Sequence, residues 1–455
     1  MKLIKHIIFV NIDDDEKLMI NSLYGLVDKI DNATFELIKK WQGQEVIAPN
    51  DEIEFALYNN LKSRNYLVNN FDEESSKKEM IIVALRKNHA SARANNHHIT
   101  FVMTYDCNFA CPYCFEGNAN RIDNGQNLKS TSCSKTEVMT PELIDAAFNL
   151  VGDNLQSIGL FGGEPLLPKT RSAFEYIVSK APDKTYNITS NGYYLTEFLD
   201  LLTRIKISYI IVTLDGEEET HDSRRHLADG GPTYNKIMDG IEKCLENKIP
   251  IHIRMNIDEG NLDECMRLKL KLIEQFSRHG DLLSFESSPM MESSDQETLN
   301  ILSEMYNAEI EYTPEERKQR NHTLSELGPL VSAIATNSKI KPAYSYCFAH
   351  ESGLAVDPFG SLYPCLRTVG IEEFAIGKYH PIVEFKESSI RTRNIDSIPE
   401  CRECKYSLLC GGGCPVGLPN YSNIFKPVCL VTRNEIHNIL PMVYRAEKTK
   451  RGAKK

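Results

Sequence analysis

Three cysteines lie close together in the sequence CNFACPYC, at Cys107, Cys111 and Cys114. Thiolates at this spacing can bind three irons of one four-iron cluster and leave the fourth iron without a protein ligand. A small molecule can then bind that open iron. Zinc is the alternative metal, but structural zinc prefers four protein ligands that usually come as CxxC pairs. The spacing therefore favours an iron–sulfur cluster.

Seven more cysteines form a second array near the C-terminus. Cys347 is followed by a Gly-x4-Cys pair that ends at Cys365, and a Cx2Cx5Cx3C run then extends from Cys401 to Cys414. The run also contains Cys404 and Cys410, and the array ends at Cys429. A structural zinc ribbon needs fewer ligands than this, so the array predicts further iron–sulfur clusters.

Composition decides how these cysteines are interpreted. The chain has 455 residues, which suits two or three domains, and a net charge of −11, which argues against a nucleic-acid surface. Its first residues contain an apolar run too short for a signal peptide, and we expect no membrane span. We therefore expect a cytoplasmic protein, in which thiols stay reduced and clustered cysteines bind metal.

From His98 onward the sequence alternates between apolar strands and helical segments. The six predicted strands are 99–104, 157–161, 186–190, 207–214, 249–255 and 282–286. This alternation predicts an α/β fold with a parallel sheet, either open or curled as a partial barrel. Polar or glycine-rich residues follow several strands, at Cys107, 162–164, 190–191 and Asp215. They share the sheet edge where α/β folds place their chemistry.

These motifs resemble those of the radical S-adenosylmethionine (SAM) superfamily over roughly residues 98–290. The resemblance implies a partial (β/α)6 TIM-like barrel in which SAM binds the open iron and is cleaved to a 5′-deoxyadenosyl radical. Gly162-Gly163-Glu164-Pro165 matches the GGEP motif, implying that Glu164 and the loop backbone hold the SAM amino group. The resemblance also implies that Tyr113 lies near the adenine of SAM and that Ser190 and Asn191 contact the ribose. Asp215 and Arg225 belong to an LDG…HDxxR signature, which implies that Arg225 lies near the SAM carboxylate. For Asp215 and His221, turn and capping roles are the alternative.

The C-terminal array resembles a SPASM domain, which implies two auxiliary four-iron clusters and three [4Fe-4S] clusters in total. The resemblance assigns Cys401, Cys404, Cys410 and Cys429 to a distal cluster, and Cys347, Cys365 and Cys414 to a proximal one nearer the active site. Family members with a fully ligated proximal cluster have another cysteine shortly before the first of these, where this chain has KIKPAYSY at 339–346. We therefore predict an open iron, which is a site for a soft ligand such as a substrate thiolate.

The remaining cysteines and two carboxylates show weaker signals of a functional role. Cys244 and Cys265 fall in predicted helices and are interpreted as ordinary, partly buried thiols. Cys133 lies in a polar loop and is a candidate distant ligand. Glu286 and Glu292 follow the last strand and are candidate acid or base groups, although carboxylates there are usually solvated.

Residues 1–95 are predicted to form a winged-helix-like module. Short strands flank an acidic turn at 13–15, Asn32 and Asp51 are candidate helix caps, and residues after 71 begin as a polar linker. The module resembles the RiPP recognition element of peptide maturases, which implies leader-peptide binding by strand addition. A structural cap and a nucleic-acid-binding module are the alternatives, and the acidic turn argues against the latter.

We therefore expect five regions: the recognition element at 1–95, the radical SAM barrel at 96–290, a bridging region at 291–345, the SPASM domain at 346–430, and a C-terminal helix and basic tail at 431–455. The expected reaction joins a cysteine sulfur to a carbon of an acceptor residue in a ribosomally made precursor peptide, as in sactipeptide and ranthipeptide maturases. Other SPASM chemistry (carbon–carbon or ether crosslinks, epimerisation, sulfatase-type cysteine oxidation) and a non-catalytic electron carrier remain alternatives. Expected partners are the precursor, through its leader, and a flavodoxin or ferredoxin reductant.

Overall fold

The computed structural model describes residues 1–94, 97–115, 122–123, 126–127, 137–289, 330, 333, 338–417, 423–442, 444–445 and 448. Cys133, Glu292, the end of the basic tail and most of the bridging region lie outside these residues. All structural statements below refer to the described part of the chain.

The N-terminal module contains a three-stranded antiparallel sheet, with strand order β2-β3-β4. Its elements are β1 (Lys2–Leu3), β2 (Ile7–Asn11), β3 (Glu16–Asn21), β4 (Leu26–Asp31), α1 (Asn32–Trp41), α2 (Glu52–Ser63) and β5 (Leu67–Val68), and β1 pairs with β5. The acidic turn between β2 and β3 forms because the Asp13 carboxylate accepts hydrogen bonds from the main chain of Asp15 and Glu16. Asp51 caps α2 as predicted, whereas α1 is capped by Asp31 rather than Asn32, because the Asp31 side chain accepts from Thr34 N.

The prediction of a linker after residue 71 is wrong, because residues Phe71–Ala94 form the 24-residue helix α3. Asn70 accepts from Glu73 N at 2.9 Å, which caps the helix. Within α3, the buried Glu74 carboxylate accepts from Lys5 N at 2.8 Å, from His6 N at 3.1 Å and contacts His6 Nδ1 at 2.5 Å. These bonds fix α3 to the N-terminal module.

Helix α3 also packs against the cysteine-rich region. Ile82 of α3 belongs to an apolar cluster that includes Leu23 of the N-terminal module and Ile398, Cys401 and Leu408. Arg86 of α3 also pairs with Asp396 at 2.5 Å. The helix therefore joins the N-terminal module to the segment that carries the distal cysteines.

The central sheet has six parallel strands, as predicted. They are β6 (His98–Val102), β9 (Ser157–Phe161), β10 (Thr185–Ser190), β11 (Lys206–Thr213), β12 (Ile251–Ile257) and β13 (Leu283–Pro289), in the order β13-β12-β11-β10-β9-β6. A short hairpin of two-residue strands, β7 (Ile122–Asp123) and β8 (Gln126–Asn127), lies between β6 and β9 in sequence. Apolar side chains alternate along the strands and form the core with the helices, and the other face of the sheet carries polar groups. In β12, for example, buried Ile253 lies between half-buried His252 and Arg254.

The helices of the barrel follow the predicted pattern with one addition. They are α4 (Pro141–Val151), α5 (Arg171–Lys180), α6 (Leu195–Leu202), α7 (Glu218–Arg224), α8 (Tyr234–Glu246) and α9 (Leu262–Gln275). Thr140 caps α4 by accepting from Leu143 N, and Pro141 is the first residue of the helix. The short helix α7 was not predicted, and it carries the HDxxR residues.

The cysteine-rich region extends the same sheet. Strand β14 (Ala355–Val356) pairs in parallel with β6, and β15 (Ser361–Tyr363), β16 (Gly377–Lys378) and β17 (Glu384–Phe385) follow in antiparallel order. Beyond them lie the short helices α10 (Ser389–Thr392), α11 (Pro399–Arg402), α12 (Ser407–Cys410) and α13 (Leu430–Asn434), with a π-helical turn at Glu435–Ile439. The first strand of the barrel is therefore bonded directly to the region that carries the C-terminal cysteines.

The C-terminal helical segment packs on the N-terminal sheet. Ile436 and Leu440 share an apolar cluster with Ile8, Val10 and Leu18 of the module. The two ends of the chain thus stabilise each other. In the described residues we find no helix whose length and apolar character would let it cross a membrane.

Candidate active site and metal centres

The CxxxCxxC loop follows β6 and is anchored from two sides. Ala110 N donates to His226 O at 3.1 Å, and Ala228 N donates to Asn108 O at 2.9 Å, so the loop pairs with the segment that follows α7. Phe109 N lies 3.4 Å from the Cys107 sulfur. The main chain therefore fixes the loop in place independently of any ligand.

The three loop thiols lie close enough to influence one another. Burial raises the pKa of Cys107 to about 12, and the nearby charges of Glu164, Cys111 and Cys114 raise it too. Burial also raises the pKa of Cys111, although the charge of Arg225 opposes this. Thiols held in this way become thiolates when a metal cation compensates their charge. The donor set fits an iron–sulfur cluster with three protein ligands.

The glycine-rich loop after β9 packs against the residues that precede Cys107. Gly162 has φ of +131°, and a Cβ there would lie 2.3 Å from Thr104 O. A Cβ at Gly163 would lie 2.3 Å from Asp106 O. Gly163 N donates to Thr104 O and Glu164 N to Asp106 O, at 2.9 and 2.8 Å. Only glycine permits this approach, so the GGEP motif has a clear packing role.

The Glu164 carboxylate is fully buried and joins two strand ends. It accepts from Leu166 N at 2.8 Å, from Ser190 Oγ at 2.8 Å and from Asn191 N at 2.6 Å. Desolvation raises the pKa of Glu164 to about 7, even though these hydrogen bonds favour the charged form. Its visible role is to hold the loops after β9 and β10 together, and its assignment to the SAM amino group stays a prediction.

Asn191 connects this network to the cysteine loop. Its Nδ2 donates to Asn108 Oδ1 at 2.8 Å and lies 3.8 Å from the Cys107 sulfur. Asn108 was not among the predicted site residues, although its position next to Cys107 was a signal for it. In the described structure, Asn108 Nδ2 is buried without a hydrogen-bond partner.

Tyr113, Asp215 and Arg225 form a second network beside the loop. The Tyr113 hydroxyl donates to Asp215 Oδ2 and accepts from an Arg225 guanidinium nitrogen at 2.8 Å. Burial, together with the charge of Asp215, raises the pKa of Tyr113. Desolvation opposes the charge on Arg225, but Tyr113, Cys111 and Asp215 outweigh it and raise its pKa. Both side chains stay in their hydrogen-bonding forms at neutral pH.

Polar residues outside the motifs position Asp215. Asn256 N donates to its Oδ1 at 2.9 Å, and Asn261 Nδ2 donates to its main-chain oxygen at 2.8 Å. His221 is buried, accepts from Asp215 N at 3.4 Å, and packs edge-on against Tyr234. His221 therefore supports the main chain at Asp215, which agrees with the turn and capping role that was the alternative to SAM binding.

The site has donors left over for a ligand. Among the described residues, Arg225 Nε and Asn108 Nδ2 are buried with no hydrogen-bond partner. Both flank the cysteine loop, and a buried donor without a partner costs about 1–3 kcal/mol. A ligand with carboxylate and carbonyl or hydroxyl oxygens would satisfy them, so the residues fit SAM. Tyr113, Asp215 and Arg225, together with residues 162–165 and 190–191, all lie around this loop.

The C-terminal cysteines fall into two sets. Cys401, Cys404, Cys410 and Cys429 line one cavity of about 200 Å³, together with Tyr406 and Arg433. Burial raises the pKa of Cys401 to about 12 and of Cys410 to about 11, and the other thiols of the set raise both further. In the described residues no three Cys, His, Asp or Glu side chains converge closely enough to hold a single metal ion. Four thiols around a space of this size fit a multi-iron cluster better than one zinc ion.

The second set contains Cys347, Cys365 and Cys414. Burial raises the pKa of Cys347 to about 12, and the charges of Cys365 and Cys414 raise it as well. This division is the one that the SPASM resemblance implies, and the ligand roles themselves stay predictions. Cys244 and Cys265 lie in the hydrophobic core at 0% exposure, in α8 and α9.

Glu286 is an ion-paired carboxylate on β13. It contacts Arg254 at 3.0 Å and His252 at 3.3 Å across the strand pair. Burial would raise the pKa of Glu286, but the hydrogen bond to His252 and the charge of Arg254 outweigh it and lower the pKa to about 2. A carboxylate held this firmly in its charged form is a poor general acid.

Comparison with known proteins bears on the family of this region. Residues 101–273 match the model of the radical SAM superfamily. This part of the chain is similar to radical SAM domains. The prediction of a radical SAM α/β fold with a partial-barrel sheet and a cysteine-rich C-terminal region is thereby confirmed.

The similar proteins include two whose names describe the maturation of another protein or factor. The chain is 25% identical to the cysteine-type anaerobic sulfatase-maturating enzyme of Clostridium novyi (strain NT), over 70% of this chain and 87% of that protein. It is 26% identical to the sporulation killing factor maturation protein SkfB of Bacillus subtilis (strain 168), over 36% of this chain and 37% of that protein.

Two solved structures share the fold of the radical SAM chain. The structure of anSMEcpe with bound AdoMet has a TM-score of 0.60 at 15% identity, covering 77% of this chain and 98% of that one. Streptococcus suis SuiB bound to its precursor peptide SuiA has a TM-score of 0.52 at 13% identity, covering 94% and 100%. The second likeness extends over nearly the whole chain, including the N-terminal module.

Proposed function

We propose that this protein is a radical SAM peptide maturase that joins a cysteine sulfur to a carbon of an acceptor residue in a ribosomally made precursor. The observation that carries the proposal is the division of the C-terminal thiols into a set of four and a set of three. Three thiols leave one iron of a proximal cluster free to bind the substrate thiolate. A sulfur held there is placed for bond formation to carbon.

The residues around the CxxxCxxC loop would bind and orient SAM. Arg225 and Asn108 offer unpaired donors, and the Tyr113 hydroxyl holds Arg225 and Asp215 in one orientation. Glu164 holds the loops after β9 and β10 at fixed positions beside Cys107. Bound together, SAM and its cluster supply the radical that removes a hydrogen atom from the acceptor carbon.

The proposed reaction balances without an external oxidant. The acceptor carbon loses a hydrogen atom, the substrate thiol loses a proton, and a carbon–sulfur bond forms. One electron is released in that bond formation and one is consumed in cleaving SAM, so SAM, reduced to 5′-deoxyadenosine and methionine, is the two-electron oxidant. The two C-terminal cysteine sets would hold clusters able to take up the released electron and pass it on, and a flavodoxin or ferredoxin reductant would supply the first electron.

We further propose that the N-terminal module binds the leader of the precursor as an added strand. In the described sheet, β4 pairs with β3 on one side only, and β2 forms the other edge. Strand β4 leads directly into α1, so a peptide added to β4 would also contact a helix. Hydrogen exchange on the full chain tests this: precursor should protect amides of 26–31 more than those of 7–11, and equal protection would contradict it.

Coexpression with a neighbouring cysteine-containing open reading frame tests the reaction. The thioether proposal expects a product that has lost two hydrogens per link and has no alkylatable thiol. Cys414→Ala should abolish the link while the protein still cleaves SAM, because that cysteine belongs to the set of three. Cys244→Ala, which changes a core thiol outside both sets, is the matched control. A modified product that still reacts with iodoacetamide at every cysteine would refute the proposal.

Cysteine oxidation is the second candidate, because the C. novyi relative matches this chain over 87% of its own length. The same experiment separates the two reactions. Oxidation replaces the cysteine sulfur with a carbonyl oxygen, and the product then reacts with hydrazine reagents. A thioether keeps the sulfur and does not react.

A further inference from the structure

Arg393 is a fully buried arginine between α10 and α11, with 0% of its surface exposed. Its Nε donates to Ile424 O at 2.7 Å. Its terminal nitrogens donate to the main-chain oxygens of Gly413 and Gly412, both at 2.6 Å, and of Lys426 at 3.0 Å. The guanidinium therefore binds two loops through their carbonyls, and these bonds bring it no compensating negative charge.

The two loops carry ligands of both cysteine sets. Gly412 and Gly413 lie between Cys410 of the distal set and Cys414 of the proximal set, and Lys426 lies just before Cys429. Desolvation lowers the pKa of Arg393, and the cysteines whose negative charge would oppose this most strongly are Cys401, Cys414, Cys410 and Cys347. Two of these belong to each set, so Arg393 lies where both sets influence it.

A buried arginine stays charged and needs nearby negative charge. A cluster gains one negative charge when it is reduced, so a fixed cation nearby stabilises the reduced form and raises the reduction potential. We propose that Arg393 is a shared counter-charge that sets the reduction potentials of both auxiliary clusters. It is a positioning residue that contacts no substrate, and the inference rests on the proposed assignment of the two cysteine sets as cluster ligands.

The test compares three variants of the full chain, reconstituted without oxygen, by iron analysis and by redox titration monitored by electron paramagnetic resonance. Arg393→Gln removes the charge and Arg393→Lys keeps it. Arg433→Gln removes an exposed charge that lines only the distal cavity. In Arg393→Gln, both auxiliary clusters should become at least tenfold harder to reduce, about 59 mV for one electron.

The other variants make the result specific. Arg393→Lys should stay close to the wild type, Arg433→Gln should shift the distal cluster only and by less, and the cluster of Cys107, Cys111 and Cys114 should not move in any variant. If Arg393→Gln binds no iron at the auxiliary sites but Arg393→Lys does, the charge is required and the proposal stands. Iron-loaded Arg393→Gln with unchanged potentials overturns it, as does loss of iron from both variants, which would make Arg393 a mechanical clamp. Wild-type protein with only about four irons would instead refute the cluster assignment itself.

Discussion

Replacing Glu74 should loosen the N-terminal module without touching the radical SAM site. The Glu74→Ala change leaves three donors of Lys5 and His6 without their acceptor. A buried donor that loses its partner costs about 1–3 kcal/mol, and the Lys5 amide is only partly buried, so we expect roughly 3–5 kcal/mol in total. Because α3 docks the module onto the cysteine-rich region, this energy should appear as local opening of the module.

Hydrogen exchange measures that opening. A change of this size corresponds to roughly 10²- to 10⁴-fold faster exchange in the amides of 7–31, with amides of the barrel unchanged. Glu79→Ala, on the exposed side of the same helix, is the matched control and should change stability by no more than about 0.5 kcal/mol. If leader binding depends on the module, Glu74→Ala should also lower precursor conversion while SAM cleavage continues. Equal exchange in both variants would refute the anchoring role of Glu74.

The remaining predictions concern the site and its clusters. Tyr113→Phe removes the hydroxyl between two charged groups and should weaken SAM binding about 10- to 100-fold, measured by equilibrium binding to reconstituted protein; unchanged affinity would refute the network. Glu286 has a pKa lowered from 4.5 to about 2, so it stabilises the fold above pH 4.5 and this stabilisation is lost as the pH falls towards 2. The free energy of unfolding of the metal-free chain, measured with denaturant, should therefore fall less in Glu286→Gln than in the wild type as the pH is lowered from 4.5 towards 2. Cys429→Ala should lower the iron content by about four per chain, whereas Cys244→Ala should leave it unchanged.

The barrel could be predicted from sequence because each of its signals is local. Apolar runs, helix caps and glycine motifs lie within a few residues of one another, and strand order follows from the alternation of strands and helices. Thr140 before a proline, for example, marked the start of α4 to the residue. The network of Tyr113 with Asp215 and Arg225 could be expected only in part, because Asn256 and Asn261 complete it from positions that no motif marks.

Contacts between distant segments could not be predicted. Helix α3 has many charged residues, and its low amphipathicity resembles that of a linker. Its stability comes from Glu74 and Ile82, which contact parts of the chain about 70 and more than 300 residues away. The pairing of β14 with β6 involves two-residue contacts that periodicity cannot reveal. Tertiary packing determines the secondary structure of such segments, whatever their local propensity.

These long-range contacts connect the N-terminal module, the barrel and the cysteine-rich region. Strand β14 bonds to β6, the strand that precedes Cys107, and Cys365 follows β15, the next strand of the same sheet. Helix α3 fixes the N-terminal module to the segment of Cys401, and Arg393 joins the loops of both C-terminal sets. A precursor anchored at β4 would therefore be held at a constant distance from both the radical source and the proposed sulfur-binding iron. Lengthening the leader by a few residues between its anchored segment and its first cysteine should move the crosslink to an earlier acceptor by a matching number of positions. If the linked residues stay the same, as mapped by tandem mass spectrometry, the site recognises the core peptide directly and the module only raises its local concentration.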